Sequence, residues 1–61
     1  MANLTSKELS LIEDLLSMEQ NLIKKYSMYS QICTDPQLKT KYEQVAQKHQ
    51  AHYSSLIGNL N

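Results

Sequence analysis

The sequence predicts an all-α chain: an antiparallel helical hairpin with helices at about 6–32 and 36–57, dimerising into a four-helix bundle. Three observations lead there. Apolar residues recur at steps of three and four along both halves, the spacing that lines one face of an α-helix. A single helix-breaking segment, Thr34-Asp35-Pro36, divides the halves. Both apolar faces are broader than one partner helix can cover.

The first helix has a well-marked start. In Thr5-Ser6-Lys7-Glu8 the Thr5 hydroxyl can accept the Glu8 backbone N–H while the Glu8 carboxylate returns to the N–H of Thr5, the reciprocal arrangement of a capping box. Leu4 before the cap and Leu9 after it are placed to form a hydrophobic staple. Ile12, Leu15, Leu22, Tyr26, Tyr29 and Cys33 then mark the seam. Leu9, Leu16 and Ile23 flank it on one side; Leu11, Met18 and Ile32 flank it on the other. Ser10, Asp14, Ser17, Asn21 and Lys24 face outward, as does Met28.

The break falls at Cys33-Thr34-Asp35-Pro36. Proline suits a first helical position, where its missing N–H would go unpaired in any case. Asp35 before it is steered out of the α region and can cap, while Thr34 with Gln37 offers a rival box one residue earlier. The second seam reads Leu38, Tyr42, Val45, His49, His52 and Leu56, flanked by Ala46, Tyr53, Ile57 and Leu60. Lys41, Gln44, Lys48, Gln50 and Ser55 face away. Gly58, the one glycine, stands where a left-handed residue would end the helix. So short a connection forces antiparallel neighbours.

Size and charge narrow the function. Sixty-one residues make one domain, here 1–61. A core that small needs a staple from disulfides, metal or association. Cys33 is the one cysteine, so no intrachain disulfide forms, which leaves association, metal or both. Because a lone hairpin leaves half of each wide apolar face in water, dimerisation is expected as a condition of folding. Six Lys balance six acidic residues, and there is no Arg. Neither a nucleic-acid groove nor a membrane-surface face is expected from that pattern. Residues 1–8 have no basic and apolar leader pattern, so a cytoplasmic location with Cys33 reduced is expected.

Three ionisable residues interrupt the seams: Glu19, His49 and His52. Folding the chain about residue 34 sets residue i opposite roughly 68 minus i in an antiparallel hairpin. Glu19 then faces His49, with His52 one turn on, in one polar layer near the middle. Leu15 falls opposite Tyr53, and Tyr26 opposite Tyr42. The primary reading is a structural layer, non-enzymatic and without cofactor, whose paired charges fix register. The alternative is a metal site with Glu19, His49 and His52 as ligands, for Zn²⁺ or Fe. Di-iron bundles require a Glu three residues before each ligating His, and Ala46 stands there instead. No nucleophile elbow or phosphate loop is present.

Leu11-Ile12-Glu13-Asp14-Leu15-Leu16-Ser17-Met18-Glu19, Lys24-Lys25-Tyr26, Cys33-Thr34-Asp35-Pro36-Gln37-Leu38-Lys39 and Gln47-Lys48-His49-Gln50-Ala51-His52-Tyr53 resemble the spore coat F family of endospore-forming bacteria. The resemblance runs from about Leu4 to Leu60. It implies a ferritin-like four-helix bundle, a structural role associated with the spore coat, and other coat proteins as partners. It would also favour Glu19 and His49 as ligands, against which Ala46 stands.

Overall fold

A computed structural model describes residues 4–60. Met1, Ala2, Asn3 and Asn61 lie outside the described residues, as do the expectations that fall on them. Two helices account for nearly all of the rest: α1, Ser6–Ile32, and α2, Pro36–Gly58. They pack side by side and antiparallel, since Gln20 meets Tyr53 and Tyr26 meets Tyr42. No strand occurs among the described residues.

Local chemistry explains each end. The capping box forms as the residues dictate: Thr5 Oγ1 accepts from the Glu8 N–H at 3.1 Å, and Glu8 Oε1 accepts from the Thr5 N–H at 3.0 Å. Leu4 is half-buried while Leu9 stays exposed, so any staple shields little. The bonds with the Thr5 backbone and side chain hold the Glu8 carboxyl below its ordinary range. A group whose pKa falls on folding stabilises the folded state above its unfolded value, and that contribution is lost as pH drops through the folded value. The melting temperature of Glu8→Gln should therefore lie below that of the parent near neutrality. The gap should close as the solution is acidified.

At the turn, Asp35 prevails over Thr34. Its Oδ1 accepts from the N–H groups of Gln37 at 2.8 Å and Leu38 at 3.1 Å. Pro36, as first helical residue, has no N–H to leave unpaired.

The far end corrects one expectation. Gly58 is not a left-handed terminator: it closes α2 as a helical residue, and its φ is not positive. The helix instead tightens, with Asn59 N–H donating to Leu56 O at 3.1 Å and Leu60 N–H to Ile57 O at 3.0 Å. The Asn59 side chain also donates to Ser55 O at 3.2 Å. Those bonds satisfy late carbonyls that a left-handed residue would otherwise serve. A Cβ at Gly58 would meet nothing within 4 Å. Gly58→Ala should stabilise by about 0.4–1 kcal/mol through the unfolded chain's entropy, whereas a left-handed glycine would give a loss. Chemical denaturation distinguishes the two.

Packing is thin. Ala46 is the one buried apolar residue among the described residues, and the least exposed of the buried residues there is Glu19, 7% exposed. The seam tyrosines carry the interhelical contact, Tyr26 stacking on Tyr42 at 6.1 Å and Tyr29 meeting Tyr42 edge-on at 5.5 Å. The molecule measures 46 × 15 × 10 Å with a radius of gyration of 14.3 Å, against about 10.5 Å for a compact domain of this length. Its accessible surface is 4733 Å², where a compact monomer of the same mass would expose about 4,000 Å². No helix among the described residues is long and apolar enough to cross a membrane.

Candidate metal centre

Glu19 arrives from the middle of α1, and His49 and His52 from adjacent turns of α2. Helical spacing of three residues puts the two imidazoles on one face, and antiparallel packing brings Glu19 to them. The register read from the turn is realised: His49 Nδ1 lies 3.2 Å from both Glu19 oxygens, and His52 Nδ1 lies 3.2 Å from Oε2. The sequence thus brought together all three site residues.

Burial is graded across the layer. The Glu19 side chain is sequestered, the His49 side chain is 21% exposed and that of His52 is 50% exposed. Glu19 is thus held from the protein side, and His52 opens the layer to the surface. His49 donates from Nδ1 when neutral in that tautomer, and also as an imidazolium; a carboxylate accepts in either case. No buried side-chain N or O among the described residues lacks a partner.

Two neighbours were not legible as parts of the site. Tyr26 lies nearly parallel to the His49 ring, at 6.2 Å and 11°, and so restricts its rotation; the sequence marks it only as a residue of the seam. Its signal was present, because Tyr42 and His49 are a heptad apart on the face that Tyr26 meets. Gln20 Nε2 donates to Tyr53 Oη at 3.2 Å, fastening the hairpin one residue beyond Glu19. The register sets Leu15, not Gln20, opposite Tyr53, so nothing in the spacing pointed to that pair.

The geometry brings two imidazole nitrogens to one carboxylate. Glu19, His49 and His52 each offer a ligand atom within 4.8 Å of the others. No family model, curated protein or solved structure matches this chain. The site is therefore read from its own atoms. Paired-iron chemistry does not fit it: each hairpin supplies one carboxylate to the layer, and Ala46, three residues before His49, is buried and has no ligating atom. A bridged pair of irons needs more carboxylates than that.

Proposed function

We propose that this chain is a non-enzymatic structural or interaction protein that works as a homodimeric four-helix bundle. The observation that carries the reading is the apolar surface a single hairpin leaves in water. Leu11 is 59% and Ile32 69% exposed, and Met18 and Leu38 are exposed as well.

These residues share one face. Heptad spacing sets Leu11, Met18 and Ile32 along one edge of α1, and Leu38, Val45 and His52 along one edge of α2. The Gln20–Tyr53 bond fastens the opposite edges, so the two stripes lie together on the other side of the hairpin. Lys25 interrupts the α1 stripe, with Nζ 5.9 Å from the ring centroids of both Tyr26 and Tyr29.

A second copy is the occupant that fits. The surface in excess of a compact monomer, about 700 Å², approaches the roughly 800 Å² per partner of a standard stable interface. An isologous two-fold pairing sets the same stripe against itself. Within each hairpin the Glu19–His49–His52 layer fixes the register of α1 on α2, because a slip there would bury a charge without its partner. Association with a spore coat rests on the sequence resemblance to the spore coat F family.

Light scattering on the chelator-treated Cys33→Ser protein tests this reading, since no disulfide or metal can then hold two chains together. A mass of two chains supports it, and a folded single chain of 7.0 kDa refutes it. A second reading, of the central layer as a cation site, is favoured by the closeness of the three donor atoms of Glu19, His49 and His52.

A further inference from the structure

We propose that Glu19, His49 and His52 form a mononuclear site for a divalent cation of the Zn²⁺ class, with one carboxylate oxygen and two imidazole nitrogens as ligands and a fourth position open to water. All three ligands come from one hairpin, so the site does not rest on dimerisation.

The spacing is the first reason. Charge-assisted N–H···O bonds settle at about 2.7–2.9 Å. Here three separate N···O approaches all stand at 3.2 Å, one of His49 Nδ1 to each Glu19 oxygen and one of His52 Nδ1 to Oε2. Ligands held at about 2.0–2.1 Å from a tetrahedral Zn²⁺ lie about 3.3 Å from each other. The two nitrogens that approach Oε2 therefore each stand near the edge length of that tetrahedron, which leaves the gap between the two imidazoles to close.

Alignment is the second. His49 Nδ1 shares its approach between both carboxylate oxygens, and His52 makes a close ion-pair contact to Oε2 rather than an aligned hydrogen bond. An optimised hydrogen-bonded triad would give each imidazole one linear bond. The ring nitrogens converge on a common region instead. The widest gap in the donor set is no more than 4.8 Å, and a small rotation of the half-exposed His52 closes it.

The donor set selects the ion class. Two imidazoles and one carboxylate suit Zn²⁺ and its borderline neighbours rather than the all-oxygen shells of Mg²⁺ and Ca²⁺. On binding, the ion occupies each Nδ1. An imidazolium releases its Nδ1 proton to water and retains the one at Nε2, while a neutral imidazole protonated at Nδ1 changes tautomer, its proton passing through water to Nε2. Tyr26, stacked on His49, limits how far that ring can turn from the ion. The open position lies toward His52, the exposed end of the layer.

Chelator competition with Zn²⁺ tests the site, using the full chain with Cys33→Ser so that the thiol cannot supply a ligand. One ion per chain is expected. His52→Ala removes an exposed ligand and is expected to leave the fold intact by circular dichroism. It should weaken binding by at least about 100-fold, the upper end of what losing even an outer partner of a metal ligand costs. Glu19→Gln should do the same. Co²⁺ substitution provides an independent readout: intense visible bands of a tetrahedral ion are expected, and the pale spectrum of an octahedral aquo-ion would overturn the proposal. So would less than one ion per chain, or His52→Ala binding Zn²⁺ within about threefold of the parent. Stoichiometry per chain is the same for monomer and dimer, so failure here is separable from failure of the dimer reading.

Discussion

The double substitution His49→Ala/His52→Ala should cost about 3–5 kcal/mol, because it leaves the Glu19 carboxylate buried with no partner. A domain of this length has about 3–9 kcal/mol in total, so the loss removes at least about a third of it, and all of it at the low end of that range. Glu19→Leu at the same layer should behave in the opposite way, tolerated or mildly stabilising. Its apolar side chain fills the volume, and both imidazoles, more exposed than Glu19, can be neutral. Removing one member of a buried pair and replacing it with a packed apolar group are different experiments, and desolvation separates them. Urea unfolding of metal-free protein measures both. Equal losses in the two variants would mean that the layer does not act through the buried carboxylate. Glu19→Leu also isolates register: without its charge α1 can slip on α2, hairpins of mixed register should give mixed oligomers in sedimentation profiles, and homogeneous dimers would count against that role.

Leu11→Lys together with Ile32→Lys should abolish association and, with it, the fold. In a lone hairpin both positions are more than half exposed, and surface changes there would stay within about 0.5 kcal/mol. Across a two-fold interface each residue is buried twice per dimer, at about 1.5–3 kcal/mol per side chain. The two accounts therefore differ by several kcal/mol for the same substitutions. Circular dichroism at matched concentration should show loss of helix in the variant. A fully helical variant would mean that this stripe is not the interface.

Much of the architecture could be read directly from the residues because the signals are local. The capping box needs only Thr5 and Glu8, and Pro36 fixes where α2 begins; the structure adds that Asp35, not Thr34, is the cap. The register follows from one turn of known place, which is why the sequence alone sets Glu19 opposite His49. What escaped was decided by competition between partners. Gly58 has the residue type for a left-handed stop, but the Asn59 side chain and backbone reach the last carbonyls first. Ser30, on the seam one turn beyond Tyr26, is buried, with its hydroxyl returned to Ser27 O at 2.7 Å. A small polar residue satisfied by its own helix leaves no pattern to read. The stacking of Tyr26 on His49 depends on ring orientation, which spacing alone does not specify.

Thermal unfolding followed across a hundredfold range of chain concentration bears most directly on the need for a second copy. If folding and pairing are one event, the midpoint rises with concentration, as mass action requires when only the folded state associates. A midpoint that stays fixed over that range, with helix intact at its lowest concentration, would contradict the account.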